Sequence, residues 1–123
     1  MSQEIPKTVT FPQQLDITIS NMGILGQELP GVMQGFGGLH KASTVPGALD
    51  TKTKELIALA IGVAARCDGC IAYHTHDCLK AGATRAEIME ALGVAIMMGG
   101  GPSVMYATHV VEAIDQFNET GIK

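Results

Sequence analysis

Tryptophan is absent from this chain of 123 residues, and aromatic residues make up only 4% of it, although 46% of the residues are hydrophobic. A core without large rings has to be filled by aliphatic side chains, and the chain supplies these together with seven methionines. Alanine, leucine and methionine are strong helix formers. The length corresponds to one domain. We therefore expect a single all-α domain.

Runs of basic residues are also missing. The chain has 8 basic and 12 acidic residues, which gives a formal net charge of −4. Proteins that bind nucleic acids neutralise phosphates with clustered lysine and arginine. The charge pattern therefore predicts no nucleic-acid partner.

A membrane-spanning segment is not expected either. The longest apolar run, Leu56 to Ala65, has ten residues, whereas a spanning helix needs about 20. The first seven residues lack the basic-then-apolar order of a signal peptide. Three cysteines are too few for a secreted disulfide scaffold. We expect a soluble, cytoplasmic protein with no membrane partner.

Cap and breaker residues divide the chain into a loose arm over residues 1–11 and a domain over 12–123. The domain should contain about six helices, which begin near Pro12, Pro30, Thr51, Cys70, Thr84 and Pro102. Since the run from Leu56 to Ala65 is apolar all round, the third helix should be buried on every side. So apolar a helix in a short chain favours a homo-oligomer.

The strongest chemical signal is a CxxC pair, Cys67 and Cys70, followed by His74. Two thiols at this spacing can close a disulfide. Cys70 falls in the first turn of the fourth helix, where the helix dipole favours thiolate. His74 lies one turn further on the same face, about 6 Å along the axis, and can accept the Cys70 proton. The pattern predicts thiol redox chemistry.

Glu55 is the second candidate, twelve residues before Cys67. It is either a solvated first-turn glutamate or a partly buried carboxylate that acts through His74. Along a straight helix Glu55 lies about 18 Å from Cys67. In a strictly antiparallel hairpin it would therefore overshoot His74, so contact requires the two helices to cross at an angle or bend.

Zinc is an alternative use of the same cysteines. Cys67, Cys70, His74 and Cys78 form a C-x2-C-x3-H-x3-C pattern, but Cys70 and Cys78 would be about 12 Å apart along one helix. A site of three ligands without Cys78 stays open, and Cys78 is predicted to be a packing residue. Three other histidines could serve the same pocket, although such residues are more often surface or capping histidines: His40, His76 and His109.

Glu55, eleven intervening residues and then Cys67-x-x-Cys70-x-x-x-His74 resemble the AhpD-like core of the carboxymuconolactone decarboxylase superfamily. The resemblance extends from about Pro30 to Phe117. It includes the segments 36–40, 53–60, 81–84 and 97–102.

This resemblance implies an all-helical fold, often trimeric or hexameric, and a peroxidase that reduces hydroperoxides or regenerates a peroxiredoxin through a disulfide. Cys70 would be the thiolate, activated by His74 and Glu55, and Cys67 its disulfide partner. An external dithiol protein or peroxiredoxin would be the redox partner, and neither cofactor nor metal is expected. Some thiol members carry a histidine between the cysteines, where this chain has Asp68-Gly69. One component of the family's proton relay is therefore missing here, which predicts slower peroxide turnover but not slower disulfide exchange.

Two further functions stay open. One is decarboxylation of a muconolactone-type acid, which would leave the CxxC unexplained. The other is a non-enzymatic redox-switch oligomer, which the missing histidine favours.

Overall fold

Six α-helices make up the fold in the computed structural model, which describes residues 9–123 and contains no strand within that range. In chain order they are α1 (Phe11–Glu28), α2 (Pro30–Thr44), α3 (Thr51–Ala64), α4 (Asp68–Lys80), α5 (Arg85–Gly99) and α6 (Gly101–Thr120). The all-α prediction is confirmed. The predicted arm lies mostly outside the described residues, and its last residue, Phe11, opens α1.

Local sequence signals fix the helix boundaries. The Asp50 side chain accepts a hydrogen bond from the N–H of Thr53 and so caps α3. Thr84 and Glu87 form a reciprocal capping box at the start of α5. Gly100, with φ at +70°, turns the chain between α5 and α6, a conformation that suits glycine. The CxxC motif lies at the N-terminal end of α4, with Cys67 as its N-cap residue.

The core lies where α3, α4, α5 and α6 pack against one another. Its largest fully buried apolar side chains are aliphatic: Leu59, Val63, Ile71, Ile88, Val110 and Ile114. Phe117 is the only large ring of α6 in this core, and it is 2% exposed. Branched aliphatic side chains therefore fill the space between the helices that aromatic rings fill in many other cores.

The prediction that α3 is buried on every side is wrong for the single chain. Ile61 is 63% exposed and Ile57 is 46% exposed. The reason is that α4, α5 and α6 cover one side of α3, whereas α2 makes only a slight contact with it. Helix α2 itself contributes no buried residue.

None of the helices in residues 9–123 combines the length and the apolar character needed to cross a membrane.

Candidate functional site

The two cysteines of the CxxC motif form a disulfide at the N-terminal end of α4. Cys67 is the N-cap residue, and its Sγ accepts a hydrogen bond from the N–H of Cys70 at 3.1 Å. Both side chains are partly exposed. The positive end of the helix dipole therefore faces the sulfur atoms and would stabilise a thiolate once the bond is reduced.

Glu55 and His74 form a hydrogen-bonded pair beside this disulfide. The Nδ1–H of His74 donates to Oε2 of Glu55 at 3.2 Å. Glu55 is 2% exposed, so it is not the solvated first-turn glutamate that sequence alone allowed. A carboxylate on Nδ1 fixes the tautomer and leaves Nε2 of the imidazole as the proton acceptor.

A close approach between α3 and α4 explains how Glu55 reaches His74. A Cβ at Gly62 would lie 3.0 Å from the Cβ of Cys70, so the helices nearly touch at this point. From there Glu55 lies about 10.5 Å back along α3, and His74 lies about 6 Å along α4. The side chains span the remaining 4–5 Å. The overshoot expected from Cys67 is avoided because the helices meet at Gly62 and Cys70.

Burial and hydrogen bonding act in opposite directions on the Glu55 carboxyl. Burial favours its neutral form, but the hydrogen bond and charge of His74, helped by neighbouring groups, lower its pKa overall. Glu55 therefore stays ionised and can hold the imidazole in place. Burial raises the pKa of Asp77, and the nearby charge of Glu55 adds to the rise.

A cavity of about 360 Å³ adjoins the disulfide. Both cysteines and His74 line it, together with Thr18, Met22, Phe36, Gly37, His40, Gly69 and Tyr73. The His40 ring lies 6.1 Å from the His74 ring in a stacked arrangement, and Tyr73 meets His40 edge-on at 5.8 Å. This lining contains no lysine or arginine. Most of the wall is formed by apolar or aromatic side chains.

The residue between the cysteines has an imidazole partner from elsewhere in the chain. His109 on α6 donates from Nδ1 to Oδ1 of Asp68 at 2.6 Å. The CxxC spacer, Asp68-Gly69, contains no histidine, but the fold places His109 against it. Spacing could not have predicted this, since 41 residues separate the two.

Cys78 lies apart from this chemistry. It is fully buried, and burial raises the pKa of its thiol to about 12. Its predicted packing role agrees with this position. Zinc on Cys67, Cys70 and His74 requires free thiolates, which the disulfide removes. That alternative applies only to the reduced protein.

Two groups near the site were missed or undervalued from the sequence. From the sequence, His40 was a candidate for the pocket, but a surface or capping role was rated higher; the structure places it in the cavity lining. Asp77 was not singled out, although it lies three residues after His74 and so on the same face of α4. That spacing was the available signal.

The fold and the sequence both have counterparts among known proteins. The sequence model of the carboxymuconolactone decarboxylase family matches residues 30–113. A solved structure of a Legionella pneumophila protein of this family is 46% identical, has a TM-score of 0.84, and is matched over 87% of this chain and 96% of its own. A Thermotoga maritima family member, described as having a suggested part in an antioxidative response, is 31% identical. Its TM-score is 0.79, and the match covers 87% of this chain and 92% of its own.

Curated relatives are similar over most of the chain. An uncharacterised Cupriavidus necator protein is 44% identical over 96 residues, which cover 78% of this chain and 85% of that protein. An uncharacterised protein from the cox locus of Paracoccus denitrificans is 36% identical over 83 residues, which cover 68% of this chain and 75% of that protein. With the family match over residues 30–113, these similarities show that the chain belongs to the carboxymuconolactone decarboxylase family.

Proposed function

We propose that the protein is a thiol-dependent reductase of organic hydroperoxides, of the AhpD-like type, that cycles through the Cys67–Cys70 disulfide. The observation that carries this proposal is the pairing of that disulfide with a buried Glu55–His74 hydrogen bond one helical turn away. Neither feature alone would suffice. A disulfide can be structural, and a Glu–His pair can serve many reactions.

The chemistry starts from the reduced protein. His74 takes the proton of the Cys70 thiol, and the thiolate attacks the outer peroxide oxygen. The O–O bond breaks, Cys70 becomes a sulfenic acid, and the alkoxide leaves as an alcohol with the proton from His74. The Cys67 thiol then displaces hydroxide from Cys70, which forms the disulfide and releases water. Glu55 keeps His74 oriented throughout.

The disulfide is returned to two thiols by an external dithiol protein or peroxiredoxin. A thiolate of that partner attacks one sulfur, and a second thiol resolves the mixed disulfide, so the partner leaves oxidised. The partial exposure of Cys67 and Cys70 supports such an exchange.

The cavity beside the disulfide supports an uncharged, partly apolar substrate. Its volume of about 360 Å³ accommodates a small organic hydroperoxide, and Met22 and Phe36 supply apolar contacts. A muconolactone-type acid carries a carboxylate, which would call for a permanent cation in the wall. The lining described above has no such cation, so decarboxylation is the weaker candidate.

The test compares thiol counts and intact masses after one equivalent of cumene hydroperoxide is added to the reduced protein. Wild type and Cys78→Ser should each lose two thiols and the mass of two hydrogen atoms, whereas Cys70→Ser should lose neither. Cys67→Ser should accumulate a sulfenic acid that dimedone traps. Wild-type thiols that remain unchanged would contradict the proposal. If Cys70→Ser consumes peroxide and forms the sulfenic acid, the roles of the cysteines are reversed.

We further propose that the protein assembles as a homotrimer or homohexamer. Support comes from apolar side chains left exposed on the single chain: Val32 at 65%, Leu39 at 63% and Ile61 at 63%. A second copy of the chain would cover such surfaces. Analytical ultracentrifugation should give a mass of three or six chains, and Ile61→Asp should lower that mass. A monomeric wild type would contradict this part of the proposal.

A further inference from the structure

Three helices bring three possible metal ligands together next to the Glu55–His74 pair. His40 comes from α2, Glu55 from α3 and Asp77 from α4, and one donor atom of each lies within 4.8 Å of the others. All three line a cavity of about 270 Å³ whose wall contains neither cysteine, although it shares His40 with the cavity beside the disulfide. The cluster is therefore accessible to an ion without passing the cysteines.

Two of the donor groups carry buried atoms without hydrogen-bond partners in the described part of the chain. These atoms are Nε2 of His40 and Oε1 of Glu55. Oε1 is the oxygen that the contact with His74 does not use. Buried polar atoms are nearly always paired, so two unpaired atoms in one cluster indicate a missing ligand.

Both carboxylates are already oriented by imidazoles of α4. His74 donates to Oε2 of Glu55, and His76 donates from Nδ1 to Oδ1 of Asp77 at 2.9 Å. Each carboxylate thus keeps one oxygen for another partner. Ligating carboxylates are typically held in this way by a second layer of hydrogen bonds.

We propose that His40, Glu55 and Asp77 bind one divalent first-row transition-metal ion, for which Zn²⁺ is the probe. One imidazole and two carboxylates suit zinc, which often takes three protein ligands and leaves the fourth position open. Calcium and magnesium prefer oxygen ligands alone. With bonds near 2.1 Å, tetrahedral donors lie about 3.4 Å apart, so donor atoms that are now up to 4.8 Å apart approach by up to about 1.4 Å on binding.

A proton or a lysine could also neutralise the carboxylates of this cluster, but each explains less of its geometry than a metal ion does. A protonated Asp77 can donate a hydrogen bond to Glu55, which raises the pKa of Asp77 and lowers that of Glu55, but this bond would leave Nε2 of His40 unpaired. Lys80 lines the same cavity, yet within residues 9–123 it forms no salt bridge with either carboxylate. A metal ion bound through Nε2 of His40 and Oε1 of Glu55 would satisfy both unpaired atoms at once.

The test is calorimetric titration of Zn²⁺ into the oxidised protein, in which the disulfide removes Cys67 and Cys70 as ligands. Wild type should bind one ion per chain. His40→Gln and Asp77→Asn should each weaken binding by at least about tenfold. His109→Gln and Asp115→Asn, which remove the same groups elsewhere, should bind like wild type. Circular dichroism should show the same helicity for all five proteins.

Cobalt distinguishes this site from one made by the cysteines. Co²⁺ added to oxidised wild type should give visible ligand-field bands and no sulfur-to-metal charge-transfer band. The inference is overturned if oxidised wild type does not bind Zn²⁺, if both ligand variants bind like wild type, or if binding appears only after reduction with the sulfur band. Because the oxidised protein is used, failure here leaves the thiol chemistry intact, and failure of the thiol chemistry leaves this site intact.

Discussion

Cysteine occurs at both ends of α4, and the two ends place the same side chain in opposite environments. At the N-terminal end, Cys67 and Cys70 are partly exposed and lie where the helix dipole stabilises negative charge. At the other end Cys78 is fully buried, and burial raises the pKa of its thiol to about 12, with help from the charges of Glu55 and Asp77. Reactivity on this helix therefore depends on position and solvation, since the functional group is identical.

Alkylation of the reduced protein should reveal the largest difference between the two ends. At neutral pH a thiol with a pKa near 12 has about 10^3.5-fold less thiolate than one near 8.5, and its higher nucleophilicity recovers about half of that exponent. Cys78 should therefore react with iodoacetamide at least about 50-fold more slowly than the faster CxxC cysteine. Peptide mass spectrometry of timed samples, taken with a chelator present, measures the ratio.

Raising the pH provides the control for this first prediction. The Cys78 rate should climb with pH well beyond the point where the rates of the other two cysteines level off. Equal labelling of all three cysteines at neutral pH would show that Cys78 is not buried in solution.

Glu55→Gln should produce the next largest effect. The amide keeps the size of the side chain but cannot hold the imidazolium of His74 through its charge. Disulfide formation with cumene hydroperoxide should slow by about tenfold to a hundredfold, less than the roughly 10²–10⁴ that a general base itself contributes. Stopped-flow thiol measurements across pH give both the rate and its pH dependence.

Glu87→Gln is the matched control for the Glu55 variant. Glu87 forms a surface salt bridge with Lys52 at 2.8 Å, away from the disulfide. The Glu87→Gln variant should form its disulfide with cumene hydroperoxide at the wild-type rate and with the wild-type pH profile. If Glu55→Gln also leaves both unchanged, the Glu55–His74 contact has no part in thiol activation.

Contacts between residues that are close along the chain could be predicted from the sequence, whereas contacts between different helices could not. Cys67, Cys70 and His74 are within one or two helical turns of each other, so periodicity alone places them on one face. The contact of Glu55 with His74 depends on how closely α3 and α4 approach at Gly62, which spacing along the chain does not specify. The resemblance to a known family supplied that contact.

The failures of sequence reasoning have the same origin. Helix α3 is apolar on all sides, and this pattern predicted that it is buried all round. The exposed Ile61 contradicts that prediction for the single chain. Composition does not say whether a neighbouring helix or another subunit covers a given face. The His109–Asp68 and His40–His74 contacts join different helices and have no local signature. Helix existence and caps were predictable because they depend on a few adjacent residues.

The smallest expected effect tests the close approach that joins the two helices. In Gly62→Ala the new Cβ would meet the Cβ of Cys70 at 3.0 Å, and overpacking of this kind costs about 1–3 kcal/mol. Better helix propensity returns up to about 1 kcal/mol, so a net loss of about 1 kcal/mol is expected in urea denaturation.

Gly93→Ala on α5 is the matched control, since its Cβ would meet nothing within 4 Å. It should gain stability by up to about 1 kcal/mol, so the two variants should differ in sign. Equal gains in both would mean that α3 and α4 can separate at Gly62 without cost, and the Glu55–His74 contact would then need another explanation.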